Sequence, residues 1–367
     1  SRYVSGVGTN MVSITLAGAY NSGIRDFDVE TAYQAALKNE LGWEGRIEGA
    51  GKMDVKQFVE RGYVPYENSV HYGTHPDGST FSVSHTLEYC FSAYAVAQWA
   101  KALGHTDDYN RLMELSRGWE KLFDDSLKLV RPRVPNGEFI DNFNPLESWR
   151  GFQEGNAVQY TFFVPQHPYR LIEKVGKEEV NNRLDSIFTE ARKSIFGGGK
   201  ITYAFAGVES PYNHGNQPSL HIPWLFNFSG KPYLTQKWTR LICDEFYGTN
   251  GEHGYGYGQD EDQGQLGAWY VMAAMGLFDV QGGACPLFDK IEIKLSPVNA
   301  TGKTFVIETT GNTPDAYYVQ SATLNGKPLE QCWLYRDELY KGGTLKLTMG
   351  NQPNEKWGVE NPPHCSE

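Results

Sequence analysis

What the chain lacks narrows its chemistry first. Its 367 residues hold only five cysteines, Cys90, Cys243, Cys285, Cys332 and Cys365, and no two form a CxxC pair. A thiolate zinc site or a dithiol redox motif is therefore not supported. Cys90 falls on the apolar face of a helical pattern and reads as core, while spacing leaves disulfide pairing open. No apolar run approaches the ~18 residues of a membrane span. Lysines and arginines are scattered and the net charge is −11, which argues against nucleic-acid and anionic-membrane partners. HExxH, His-rich zinc spacing and an EF-hand loop are missing. So is a GxSxG elbow, which leaves a Ser-His-Asp triad without an anchor. FGGGK at 196–200 lacks Walker spacing and a preceding strand. There is no tandem repeat or low-complexity segment. No signal-like apolar segment follows Ser1, so the expectation is that any targeting peptide was removed or never included.

What is present is a globular composition with an aromatic excess. Hydrophobic residues make up 40% and charged ones 21%, enough for one large domain or two ordinary ones with a substantial core. Aromatics reach 14%. Aromatic faces fill cores and also pack against the C–H faces of sugars, so this excess tilts the reading only slightly toward carbohydrate.

Periodicity divides the chain in two. Up to about residue 280 it reads as helices separated by Gly/Pro-rich loops. The clearest runs from Ser84 to Gly104, with Ser84 expected to cap its start, Gly104 to end it, and Leu87, Cys90, Phe91, Tyr94 and Ala95 on one face. DFDVETAYQAALKN is another, with Asp28 as N-cap. Further helices are expected near 107–123, 155–175, 177–194, 218–229, 233–246 and 263–276. Their pairing implies helical hairpins. Long loops at 43–82, 130–153, 197–216 and 247–262 are candidates for function. After Gly276 the pattern alternates, as in KIEIKLS, TFVIETT and TLKLTMG, and Asn325–Gly326 signals a hairpin. A β region is therefore expected from about residue 285. An α/α barrel of six hairpins needs twelve helices, more than this pattern supplies, so the chain is expected to be incomplete.

Polar clusters sit at three loop-to-helix junctions. In YGQDEDQGQLGAWYVMAAMG, Asp260, Glu261 and Asp262 are adjacent, immediately before an apolar helix. Acids at a helix N-terminus are favoured by the macrodipole, but three neighbours repel one another. In FQEGNAVQYTFFVP, Glu154 precedes an aromatic-rich helix. In NHGNQPSLHIPW, His214, Asn216, Gln217, Ser219 and His221 surround Pro218. In a toroid of helical hairpins alternate termini open on one face, so such loops can converge on one cleft. Glycosidic hydrolysis needs one protonated and one ionised carboxyl group. Glu154, beside Phe152, Tyr160, Phe162 and Phe163, is the candidate for desolvation, which raises a carboxyl pKa. Asp260 and Asp262, among glycines and amides, are candidates for the ionised partner. The acid cluster could equally serve calcium, which prefers several oxygen ligands. Each cluster also has a structural reading: a cap, a turn, or a buried and satisfied histidine.

The stretches EGNAVQYTFFVP, HGNQPSLHIPWLFNFSGKPYLTQ and DEDQGQLGAWYVMAAMGLFDVQGG resemble the calcium-dependent exo-α-mannosidases of glycoside hydrolase family 92. The similarity extends from GIRDFDVETAYQAAL through RGYVP and TLEYCFSAYAVAQWAKALG to LNGKPL and LYKGGTLKLTMG, nearly the whole chain. It implies a mainly α fold: residues 1–284 as the later part of an (α/α)6 catalytic barrel and 285–367 as a small antiparallel β region. An N-terminal β-sandwich and the first barrel helices would lie on a missing segment, itself an expected partner.

The resemblance further implies an inverting mechanism with Glu154 as general acid and Asp262 as general base, assisted by Asp260. Carboxyl groups in such enzymes stand ~6.5–9.5 Å apart, leaving room for water. Calcium would bridge the O2 and O3 hydroxyls of mannose, with Asn216 and Gln217 as its expected ligands. His214, Asn216, Gln217 and His221 are the expected substrate contacts. Gln217 departs from the family, which usually has glutamate there (GNEPS). The change could alter linkage preference, favour another leaving group, weaken calcium, or be engineered. The expected substrate is a mannose-containing oligosaccharide, such as an N-glycan branch or a mannan, and the expected location is secreted, periplasmic or cell-surface. Rival readings are a helical-barrel glycosidase or phosphorylase for another sugar, and a non-catalytic mannan-binding protein on the same fold. Sequons stand at Asn227 and Asn299.

Overall fold

The computed structural model describes residues 11–46, 51–68, 78–198, 205, 207–247, 264–278 and 282–365. The chain folds as two compact units, Ser1–Gln166 and His167–Glu367. No helix among the described residues is long and apolar enough to cross a membrane.

The first unit holds α1 (Met11–Asn21), α2 (Val29–Leu41), α3 (Val55–Arg61), α4 (Ser82–Leu103), α5 (Thr106–Ser116) and α6 (Ala157–Tyr160), with a two-strand ribbon of β1 (Phe123–Asp124) and β2 (Leu129–Val130) between α5 and α6. Asp28 caps α2 as expected, its carboxylate accepting from the Thr31 amide at 3.1 Å. α4 is the central element, packed against α1, α2 and α5. Leu87 and Cys90 are buried, but so are Ala93, Val96, Trp99, His85 and Glu88, whereas Phe91, Tyr94 and Ala95 are half-buried. Burial on nearly every side, rather than a single stripe, explains why its pattern is more apolar than amphipathic.

Gly104 ends α4 in the left-handed conformation, which a residue without Cβ adopts at little cost. Ser84 is not its cap: the helix starts at Ser82, and the Ser84 hydroxyl accepts from the Gln153 amide at 2.8 Å. A long-range partner outcompetes the local one, which sequence spacing cannot reveal. Beneath α4 the Lys52 ammonium pairs with Glu40, and both are fully buried. Ser92 adds a hydrogen bond to Glu40 at 3.1 Å, and the ammonium lies over the Tyr89 ring at 4.7 Å. Burial pulls the Lys52 pKa down while Glu40 opposes that shift.

The expected helix over 155–175 is broken. α6 stops at Tyr160, and a helix resumes only at α7 (Pro168–Val175), in the second unit, with Pro168 in its first turn. Pro165 and Pro168 each lack an N–H, so a continuous helix would lose bonds there. The second unit continues with α8 (Lys177–Arg192), 3-10 turns at Gln217–Ser219 and Ile222–Asn227, α9 (Pro232–Glu245) and α10 (Gln265–Ala274). The stretch expected as one helix over 218–229 is split into these two turns, each with proline near its start. Phe188 of α8 stacks on Trp238 of α9 with centroids 5.3 Å apart. Asn227 is buried and its amide donates to Gly283 at 3.2 Å, so that sequon is built into the fold.

The β portion follows: β3 (Leu277–Phe278) and β4 (Gly282–Gly283) pair with each other, then β5 (Lys290–Lys294), β6 (Thr304–Thr310), β7 (Tyr318–Leu324), β8 (Lys327–Pro328), a short α11 (Arg336–Tyr340) and β9 (Gly343–Gly350). The larger sheet has the order β5-β6-β9-β7-β8. It is not wholly antiparallel as expected: β9 enters beside β6 in parallel register, Ile307 opposite Leu345. The connection through β7, β8 and α11 makes this possible, since a parallel pair needs a crossover. The Asn325–Gly326 hairpin forms as expected, both residues at positive φ between paired Leu324 and Lys327. Phe305, Ile307, Val319, Leu345, Leu347 and Met349 point into one core with Trp333 and Trp357, as the period-two pattern requires. α9 anchors the sheet: Gln236 accepts from the Val319 amide at 2.9 Å, and Arg240 donates to the Pro286 carbonyl at 2.8 Å.

Candidate active site

Glu154 lies in the first unit on a turn between α4 and α6. Its φ is 55°, the left-handed region that residues with a Cβ rarely adopt. Several bonds hold the turn there. The Val83 amide donates to the Gly151 carbonyl at 2.9 Å, tying the approaching chain to the start of α4. The Gln153 amide donates to Ser84, and the Gln153 carbonyl accepts from the Tyr160 hydroxyl at 2.7 Å. Beyond Glu154, the Asn156 side chain caps α6, accepting from the Val158 and Gln159 amides at 3.0 and 3.2 Å. Gly155 has no room for a side chain, because a Cβ there would meet Gln159 Oε1 at 2.7 Å. Phe152 and Tyr160 are buried beside the half-buried Glu154. The Tyr160 hydroxyl is pushed far up by burial, and the negative charge of Glu154 adds to that push.

The second polar cluster begins at Tyr212. His214 is fully buried between two tyrosines, Nδ1 at 2.8 Å from the Tyr212 hydroxyl and Nε2 at 2.9 Å from that of Tyr247. Burial lowers its pKa to about 3, so the ring is neutral at ordinary pH. A neutral imidazole has one donor and one acceptor nitrogen, and the two hydroxyls match that pair. The edge of the ring meets Trp269 of α10 at 4.3 Å, and Trp269 donates to the Leu220 carbonyl at 2.8 Å. Asn216 and His221 are buried on the same loop. Among the described residues, Gln217 Oε1 and Ser219 Oγ are buried without a hydrogen-bond partner.

Residues 2–351 match the glycosyl hydrolase family 92 catalytic domain. The chain belongs to glycoside hydrolase family 92. A curated relative named as an uncharacterized secreted glycosidase of Arthroderma benhamiae is 28% identical over 385 aligned positions, covering 94% of this chain and 45% of the relative. Among solved structures, a family GH92 α-mannosidase of Bacteroides thetaiotaomicron is 28% identical with a TM-score of 0.80, covering 97% of this chain and 44% of that one. The same enzyme is also known in complex with mannoimidazole. A family GH92 inverting mannosidase from strain VPI-5482 of that organism is 28% identical with a TM-score of 0.81, over 98% of this chain and 48% of that one. This family 92 chain thus spans less than half the length of these relatives.

The sequence-derived candidates of this family 92 chain are divided between the two units. Glu154 is in the first; His214, Asn216, Gln217 and His221 share one loop of the second. Asp260 and Asp262 lie outside the described residues, which resume at Gly264 before α10. Both nitrogens of His214 are engaged by tyrosines, so its geometry is that of a loop support. Sequence reasoning misses Ser84 and Tyr247 as parts of these clusters, and also the buried Asp54–His85 pair at 2.6 Å. Their partners are distant in sequence, so no local pattern marks them. Among the described residues, no group of three or more His, Cys, Asp or Glu is arranged to hold a metal. A hard cation also takes amide carbonyl oxygens, and the buried, unpartnered Gln217 Oε1 next to Asn216 is of that donor type.

Proposed function

We propose that this chain carries the acid and base of an inverting, calcium-dependent exo-α-mannosidase acting on terminal α-mannosides of N-glycans or mannans. The observation that carries the reading is Glu154, held half-buried on a strained turn by buried polar partners in a family 92 chain. Strain of this kind concentrates at functional sites. The likeness to an inverting mannosidase and to an α-mannosidase solved with mannoimidazole supports the substrate class.

In this reading Glu154 protonates the departing glycosidic oxygen from its place beside the buried Phe152 and Tyr160. Asp262 accepts a proton from the attacking water, and Asp260 helps orient it. In inverting glycosidases generally the acid and base carboxyl groups stand ~6.5–9.5 Å apart, with water between. Asn216, Gln217 and His221 contact the sugar, and His214 supports their loop from beneath. Asn216 and Gln217 would hold calcium through their amide oxygens, a fit consistent with the buried Gln217 Oε1. Bound there, calcium supplies a hard Lewis acid for vicinal sugar hydroxyls. Gln217, in place of the family's usual glutamate, leaves this part of the site without one negative charge.

The helices of both units are, in the same reading, the later part of an (α/α)6 barrel over 1–284, followed by the β region 285–367, with the rest of the barrel and a β-sandwich supplied by chain outside these residues. Secretion is the proposed location, in keeping with the name of the fungal relative.

The test is release of mannose from α-linked mannobioses of each linkage by the full-length protein, with calcium and with EDTA. Calcium-dependent release, abolished by Glu154→Gln and by Asp262→Asn in folded protein, is expected. Binding of mannobiose without turnover in any condition would overturn the reading in favour of a mannan-binding protein.

A further inference from the structure

The residue that precedes Glu154 is held through both of its backbone polar groups. The Gln153 amide can only donate, and it donates to Ser84 Oγ at 2.8 Å. The Gln153 carbonyl can only accept, so the Tyr160 hydroxyl gives it its proton across 2.7 Å. Ser84 is 3% and Tyr160 1% exposed, so water does not compete for these bonds.

We propose that Ser84 and Tyr160 are positioning residues for Glu154: they clamp both ends of the Gln153 backbone and thereby fix the direction in which the carboxyl group is presented. The proposal rests on the reading of Glu154 as general acid. At φ 55° Glu154 is in a region its Cβ disfavours. If the Gln153–Glu154 peptide could rotate, the turn would relax toward an ordinary conformation and carry the carboxyl group away. Rotation would break the bond from the Tyr160 hydroxyl and leave the Gln153 carbonyl unpaired, while the Ser84 bond to the Gln153 N–H holds the preceding peptide in place. On the far side, the Asn156 cap and the crowded Gly155 prevent compensation. Ser84 comes from α4 and Tyr160 from α6, so the clamp transmits the rigidity of two helices to one side chain.

The experiment compares two α-mannosides with the full-length protein: mannobiose, whose leaving oxygen needs a proton, and a dinitrophenyl α-mannoside, whose leaving group does not. Ser84→Ala and Tyr160→Phe are expected to lower kcat on mannobiose by ~10–100-fold, the effect of misplacing a reacting group by about an ångström. Their KM is expected to stay within about twofold, and the dinitrophenyl substrate to be spared. Ser84→Thr, which keeps the hydroxyl, should restore most of the loss. Tyr160→Phe preserves ring volume and serves if Ser84→Ala folds poorly. Glu154→Gln is the reference and should show the same leaving-group dependence more strongly. If Glu154→Gln hydrolyses mannobiose normally, the general-acid reading falls and the clamp falls with it. If Glu154→Gln behaves as expected but the clamp variants lose both substrates equally, or neither, the positioning role alone is overturned.

Discussion

Nε2 of His214 lies 2.9 Å from the Tyr247 hydroxyl, while Nδ1 is taken by Tyr212, so the imidazole sits in the interior with both nitrogens bound. Its folded pKa is about 3 against an ordinary value of 6.5. Below pH 6.5 the unfolded chain takes up a proton that the folded chain refuses. The stability linked to this group is therefore fully present above pH 6.5 and is lost progressively as pH falls toward 3. By pH 5 the loss is about 2 kcal/mol. Thermal melts of wild type and His214→Gln should show a lower midpoint for the variant at pH 7 but a shallower decline on acidification. Parallel declines would refute the assignment.

The Lys52–Glu40 pair gives a second expectation. Both side chains have no exposure. Removing one partner strands a charge, so Lys52→Met alone or Glu40→Leu alone should cost about 3–5 kcal/mol. The double variant should recover most of that, because well-packed apolar groups need no compensating charge. Denaturant midpoints of the three variants measure it, and additive losses in the double variant would contradict this account.

Glu154 holds a left-handed backbone conformation, with φ 55°. Glu154→Gly removes the Cβ from a left-handed position. Stability should rise by about 0.5–1 kcal/mol, the strain relief net of the entropy glycine adds to the unfolded chain. Hydrolysis of mannobiose should disappear in the same variant. A fall in melting temperature would mean that the Glu154 side chain stabilises the fold after all.

Thiol chemistry should separate one cysteine from the rest. Cys90, Cys243, Cys285 and Cys332 are buried and unbridged, and burial pushes Cys90 and Cys332 up to about 12. Thiolate formation, and with it alkylation, is suppressed at such sites. Only the half-buried Cys365 of this set should be labelled by iodoacetamide in the native protein, with all five labelled after unfolding, as read by peptide mass spectrometry. Native labelling at Cys90 would show that the α4 packing opens.

Much of the helical architecture is legible in local signals. Asp28 caps α2 and Gly104 ends α4 because caps depend on a few neighbouring residues. The β alternation near the C-terminus and the Asn325–Gly326 hairpin are legible for the same reason. The stretch near 155–175 reads as one helix and is not: its aromatic periodicity continues through Pro165 and Pro168, but the backbone bonds do not. The parallel register of β6 and β9 is hidden too, because alternation specifies which face a residue takes and not which strand lies beside it.

For the candidate site, the division is sharper. The sequence by itself determined which residue types cluster at helix starts, Glu154 and the Asn216–Gln217 loop among them, and tied the chain to its family. Only the tertiary structure decided that Ser84 serves Gln153 rather than its own helix, that Tyr160 holds the Gln153 carbonyl, and that His214 is locked between Tyr212 and Tyr247. Two of those four bonds, Ser84 with Gln153 and His214 with Tyr247, join residues well separated in the chain. A hydrogen bond is chosen by distance and desolvation in the folded state, and neither quantity is written in local sequence spacing.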